Sequence, residues 1–319
     1  MKKFLVYLTW FLVPLIIIAY VADVFISRYL PKQNDYAVGE FPVWSDLFGG
    51  RVNSDIVIYG NSRAWVQFDP NIISDSLTTT AYNLGIDGYG FDMQYLRHSI
   101  LLQYNKKPKL IIQSVDVFTL EKRTDLYNDD QFLPYMLFNK EIKNVTQNYE
   151  IYNHWDYEIP LVRYYGKNTA IKAALRMLLF PSNNPVMRMN GYQGQDKEWN
   201  NDFDEAKRKI GSYKVKTDSA LKRLFEKYLK ECQRDHLNMI FVYAPVYIEG
   251  QKFISNGGEI IDQYKSYSKK YKIPFYDFSN DSISFQKNLF YNAMHLNKKG
   301  SVLFTNQLVK TLKDNHSLD

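Results

Sequence analysis

Ser62 and His295 are the residues of this chain whose settings suit nucleophilic chemistry. Ser62 lies in "DIVIYGNSRAWVQFDP", residues 55–70, just after the apolar run Ile56–Tyr59 and the turn residues Gly60 and Asn61. His295 lies in "FYNAMHLNKKGS", residues 290–301, ahead of a segment that reads as the last helix. A neutral imidazole can take the proton of a serine hydroxyl as its oxygen attacks a carbonyl carbon, then return that proton to the leaving group. A third stretch, "YNLGIDGYGFDMQYL", sets Gly85, Gly88 and Gly90 before a helix. Glycines there let backbone N–H groups approach a developing negative charge.

Arg63, beside Ser62, suits either an anionic acceptor or a structural ion pair, and Asn61 on the other side is a further candidate for substrate contact. The aromatic rings of Trp199, Tyr192 and Trp155 could stack on sugars or fill a core. His98 falls inside a predicted helix, His236 at a helix end and His316 in the tail, which leaves His154 as the other histidine of interest. No His, Asp or Glu cluster has metal-ligand spacing, and the glycine turns fit neither a P-loop nor a dinucleotide fingerprint. Neither metal nor cofactor is therefore expected. The one cysteine, Cys232, excludes an internal disulfide.

Such residues need elements to carry them. Short apolar runs at 55–60, 79–84, 109–115, 238–244 and 274–277 predict strands, and 91–104, 218–236, 256–271 and 298–313 predict helices. In the second of these helices Leu221, Leu224, Phe225, Tyr228 and Leu229 form one apolar stripe. Alternating strands and helices imply a three-layer α/β/α domain with a parallel sheet, and ligands of such sheets bind at the carboxyl edge. Ser62 and His295 both fall on that edge. From about 119 to 217 the alternation fails and aromatics crowd in, so this segment reads as an insertion, helical near 167–179, lying over the strand ends as a cap.

The amino end is apolar and uncharged from Phe4 to Ala22, long enough for a helix of roughly 28 Å. That predicts an anchor at 1–25, a tether at 26–52 rich in Pro and Gly, and the main domain at 53–319. A cleaved signal ending near "AYVAD" is the alternative, against which the length of the apolar run argues. Lys2 and Lys3 precede the span, while Arg28 and Lys32 follow it among Asp23 and Asp35, which puts the amino end in the cytoplasm and residues 30–319 outside. The net charge of +6 arises from 40 basic and 34 acidic residues, well interspersed, which gives no nucleic-acid signature.

Taken in order, "GNS" at 60–62, "NLGIDG" at 83–88 and "NAMH" at 292–295 resemble the motif blocks of the SGNH/GDSL hydrolase superfamily. The resemblance covers most of 53–119 and 236–313. It implies a flavodoxin-like domain with Ser62 as nucleophile, His295 as base, and Ser62 and Gly88 as oxyanion donors. Asn292 stands where the family carries an acid; it either orients the histidine or caps the turn, with Asp277 or Asp281 as other sources of charge. The family's block-three Asn is missing from "LIIQSVDVF", where Gln113, Ser114 and Asp116 lie nearby. With its anchor, the chain is similar to the branch that holds alginate O-acetyltransferase proteins and the lipoteichoic-acid D-alanylation protein. That likeness implies a membrane-bound O-acyltransferase as partner, and acyl transfer to, or removal from, a cell-envelope polysaccharide. A catalytically silent domain that binds glycan or that partner is the alternative.

Overall fold

The computed structural model describes residues 1–33, 36–181 and 187–315. Asp35 and His316, weighed above, lie outside the described residues. The chain forms two compact units, one of Met1–Ser45 with Thr124–Met187 and one of Asp46–Arg123 with Arg188–Asp319.

The larger unit is built on five parallel strands: β1 (Ile56–Tyr59), β2 (Ala81–Asn83), β3 (Leu110–Ser114), β4 (Asn238–Tyr243) and β5 (Phe275–Asp277), in the order β2-β1-β3-β4-β5. This is the flavodoxin-like order, in which the direction of winding reverses between β1 and β3. Ile58 of β1 pairs with Asn83 on one side and Ile112 on the other.

Side chains alternate between the two faces of the sheet. On one face Ile56, Ile58, Ile112, Ile240 and Val242 pack with Phe68, Ile73, Phe304 and Leu308. On the other, the Tyr59 ring meets His98 edge-on at 5.5 Å and Phe241 meets Phe225 at 5.8 Å. With both faces covered, Ile56–Tyr59, 110–112 and 239–243 are unbroken apolar runs, as central parallel strands usually are. Helices Phe91–Tyr104, Ser219–Arg234, Gly257–Tyr271 and Lys298–Asp314 stand where the periodicity predicts them.

The smaller unit begins with a helix over Lys2–Tyr29 that runs through Pro14 without a break. It is long and apolar enough to cross a membrane. Its large apolar side chains are exposed from Phe4 to Val21 and again at Val24, whereas Asp23 and Ile26 are buried. The Asp23 carboxylate accepts two hydrogen bonds from Arg163, each 2.7 Å, and a third from the Leu161 N–H at 2.7 Å.

The described residues of 26–52, expected as a tether, hold regular elements. The helix continues to Tyr29, a 3-10 turn follows at Leu30–Lys32, and Glu40–Phe48 is helical with Phe41, Val43, Trp44 and Leu47 fully buried. Trp44 Nε1 donates to Gln131 Oε1 at 2.8 Å. Pro42 misled the reading because a proline in the first turn of a helix removes an N–H that had no helical partner anyway. The expected insertion is divided as well. Residues 124–187, with helix Asn168–Leu179, belong to the smaller unit, and 188–217 belong to the larger.

Removing one member of a buried ion pair strands the other. Asp23→Ala should therefore cost about 3–5 kcal/mol, read as a drop in the denaturation midpoint of the detergent-solubilised full chain. Arg51→Ala, which breaks the exposed pair with Asp46, should cost less than about 1 kcal/mol in the same assay.

Candidate active site

Ser62 is placed by a turn that only glycine fits. A Cβ on Gly60 would come 2.6 Å from Ala64 Cβ and 2.9 Å from Ser114 Cβ, because the chain leaving β1 presses against the end of β3. Asn61 then caps the short helix Ser62–Gln67, its Oδ1 accepting from Arg63 N at 3.0 Å. Ser62 is thus the first helical residue, and among the described residues its own N–H has no acceptor.

His295 arrives on a small antiparallel pair, β6 (Phe290–Asn292) and β7 (His295–Leu296). Directly after it Asn297 caps the last helix, with Oδ1 accepting from Gly300 N at 3.0 Å. That helix is tied to the serine's helix by two buried hydroxyls, Ser301 Oγ and Thr305 Oγ1, which donate to Gln67 O at 3.2 and 3.1 Å. The result is a bond between Ser62 Oγ and His295 Nε2 of 2.8 Å across 233 positions of sequence.

The protonation of the imidazole follows from its other side. Asn292 Oδ1 accepts from the backbone N–H groups of Met294 (3.0 Å) and His295 (2.9 Å). Two N–H donors fix the amide with its oxygen inward, since its NH₂ group would face them donor to donor. His295 Nδ1 lies 2.9 Å from the same oxygen, so it carries the proton, and Nε2 presents its lone pair to Ser62. Asn292 thus orients the imidazole and closes its own turn together. Asp277 instead accepts from Ser279 N, and Asp281 from Ile283 N and Gln307, so neither supplies charge to the imidazole.

Burial pushes the His295 pKa down to about 3, and the charges of Arg63 and Lys197 act in the same direction. The ring is therefore neutral, and able to accept a proton, throughout the physiological range. Tyr291 stacks on it with centroids 5.3 Å apart and planes 12° from parallel. Burial and the Asp87 carboxylate lift the Tyr291 phenol above its ordinary range, so it stays protonated.

Gly88 lies on the turn after β2 with φ of +75°. Its segment is held rigidly. Ile86 N donates to Gly60 O at 3.0 Å, and Asn83 Oδ1 accepts from Gly85 N at 2.9 Å. Buried Arg97 and Arg188 both donate to Gly85 O at 2.6 Å. Like Ser62 N–H, the Gly88 N–H has no acceptor among the described residues. The block-three candidates add no donor. Gln113 turns to Gln94 at 2.9 Å, and Asp116 accepts from Phe118 N and Thr119 Oγ1. Ser114 forms the wall against Gly60.

Arg63 is not available to a substrate. Its guanidinium is buried, donates to the carbonyls of Ala244 (2.5 Å) and Pro245 (3.5 Å), lies 3.9 Å from Asp116, and covers the Tyr243 ring. Asn61 is a buried cap. Trp199 is half-buried and packs edge-on against Tyr247 at 5.1 Å with Lys287 over its ring, and buried Tyr192 bonds Ser301 at 2.7 Å. Trp155 and His154 belong to the smaller unit.

Sequence reasoning missed Tyr291 and Lys197. Tyr291 stood next to Asn292 in the quoted motif, but Lys197 gave no local signal. It comes from the segment whose Gln195 O accepts from Lys298 N and whose Asn200 N donates to Tyr291 O at 2.9 Å. Among the described residues no group of three or more His, Cys, Asp or Glu could hold a metal ion.

No family model and no curated protein matches the chain. Solved structures do match. One, described as a lipolytic protein of the G-D-S-L family from Desulfitobacterium hafniense, is 12% identical with a TM-score of 0.39 and covers 81% of this chain and 99% of its own. An acylhydrolase so described from Bacteroides fragilis is 13% identical with a TM-score of 0.35, covering 83% and 88%. A protein described as a platelet activating factor from Streptococcus pneumonia is 13% identical with a TM-score of 0.37, covering 97% and 98%. At that similarity the reading of this site rests on its own geometry.

Asn292→Asp tests that geometry. A carboxylate beside Nδ1 should raise the His295 pKa by about 1–3 units. The neutral, proton-accepting form is lost as pH falls through that pKa, so the acid limb of a Ser62 labelling-rate profile should move up from near pH 3 by the same amount. Each unit stabilises the imidazolium by about 1.4 kcal/mol, so labelling at neutral pH should speed up about tenfold or more.

Proposed function

We propose that this chain is a membrane-anchored, extracytoplasmic serine esterase or O-acyltransferase that acts on acyl esters of a cell-envelope polysaccharide. The observation that carries the chemistry is the 2.8 Å bond from Ser62 Oγ to a His295 Nε2 whose lone pair is fixed toward it. Ser62 Oγ attacks the acyl carbon while His295 Nε2 takes its proton. The oxyanion is held by the N–H groups of Ser62 and Gly88. His295 then gives the proton to the departing sugar oxygen, leaving the acyl group on Ser62. Water or a second sugar hydroxyl attacks that ester, deprotonated by His295, and the serine is restored.

Two donors in place of three make a weaker oxyanion site, since one lost donor costs about 2.7–4 kcal/mol. This lack of a third donor favours a second reading, a silent domain that binds glycan or a membrane-bound O-acyltransferase. Against it stands the imidazole, which a binding domain has no reason to hold neutral against a serine.

The anchor reading is supported by the unbroken helix through Ala22 to Tyr29 and by the Asp23 clamp just beyond. Signal cleavage would sever that helix at its point of attachment. On this reading Lys2 and Lys3 stay in the cytoplasm and the folded units lie outside.

The full chain in detergent should react with a fluorophosphonate at Ser62, as mass spectrometry of the adduct would show, and Ser62→Ala and His295→Ala should abolish the adduct. A folded chain that forms no adduct would transfer the case to the silent-domain reading. Cell fractions should hold the uncleaved chain in an alkali-washed membrane pellet; a soluble chain beginning near Ala22 would defeat the anchor.

A further inference from the structure

Three bulky side chains of the smaller unit are displayed to solvent on two short turns that pack together. Trp155 on His154–Tyr157 is 57% exposed, Ile159 just after it 41%, and Tyr165 just after Val162–Tyr164 93%. Their depth relative to the N-terminal helix is set by hydrogen bonds. Asp23, the first charge after the apolar run, bonds Leu161 N and the Arg163 guanidinium. Residues 159–165 therefore lie beside the helix where its apolar surface ends. Tyr20, on the last turn before Asp23, is itself 47% exposed.

Charge lies alongside these apolar groups. Lys143 bonds Glu158 at 2.7 Å, His154 pairs with the same carboxylate at 3.0 Å, and the His154 ring sits 5.4 Å from Trp155. Rings with an apolar body and a polar tip, next to charges and at the end of an apolar helix, match the chemistry of the headgroup layer of a bilayer. Rings left in water would keep a large apolar area hydrated; in that layer they lose it at no cost to their polar tips.

We propose that the turns carrying Trp155, Ile159 and Tyr165 seat the smaller unit on the lipid headgroup layer around its own anchor. This rests on the reading of the N-terminal helix as a span. The occupant is lipid because the surface continues an exposed apolar helix that water cannot cover favourably. The smaller unit then acts as a foot with its own height and tilt fixed on the membrane.

The test places one fluorescent label at a time on the full chain through Tyr165→Cys or Ile17→Cys. Cys232 is buried and stays unlabelled. The labelled chains are reconstituted in phosphatidylcholine–phosphatidylglycerol vesicles with a spin label at the headgroup or deep in the acyl chain. The proposal expects the Tyr165 label to be blue-shifted and to lose most of its emission to the headgroup quencher, and the Ile17 label to lose its emission to the deep quencher. A quenched Ile17 label with an unquenched, water-like Tyr165 label overturns the seat and leaves the anchor standing. A quenched Tyr165 label with an unquenched Ile17 label supports surface contact and removes the span. If neither is quenched, both readings fall.

Discussion

Three N–H groups converge on Asn292 Oδ1, two from the backbone of Met294 and His295 and one from the imidazole Nδ1. The backbone pair fixes which end of the amide faces inward, the amide oxygen fixes the tautomer, and the tautomer gives Ser62 a lone pair. In a Ser-His-Asp site an amide in the acid's place is costly chiefly because it imposes the wrong tautomer. Here the turn prevents that. What the amide cannot do is offset the positive charge of an imidazolium, and burial with Arg63 and Lys197 makes that charge costlier still. The imidazole is thus well aimed at Ser62 and hard to protonate.

Such an arrangement needs a rigid frame, because the serine and the histidine come from opposite ends of the domain. The frame is polar as well as apolar. Gln67 O gathers the hydroxyls of Ser301 and Thr305, Gly85 O gathers Arg97 and Arg188, and Arg63 closes the gap between β1 and the end of β4 through the carbonyls of Ala244 and Pro245. Each is a buried carbonyl that would be costly to leave unpaired. Three of the four partners of the first two carbonyls lie more than 100 positions away in sequence, so those bonds form only when the sheet is assembled.

The amino-terminal part obeys a different constraint. The apolar run of the first helix, long enough to cross a bilayer, ends at the charge of Asp23, and a charge there is either hydrated or paired. Asp23 is paired, with Arg163, inside the smaller unit. The pairing makes the end of the helix part of a folded body rather than the start of a flexible leash, and the same unit holds Trp44, buried and bonded to Gln131.

Strands and helices of the larger unit were legible because their signals are local: apolar runs of strand length, one apolar stripe per helix, and glycine where the chain turns. Ser62 and His295 were legible for the same reason, since a residue that follows a strand or precedes a helix falls on a definite edge of a parallel sheet. Tertiary structure alone decided the rest. Arg63 could face solvent or interior in any one-dimensional reading, and it faces inward because two carbonyls at the end of β4 need donors. Lys197 has no motif, and is brought within range of the imidazole by backbone bonds at Gln195 and Asn200. The orientation of the Asn292 amide, on which the chemistry turns, depends on two N–H groups of a folded turn. Residue type and spacing determine which elements form and which edge they present; which atom of a side chain faces which partner is determined by where buried donors and acceptors must meet.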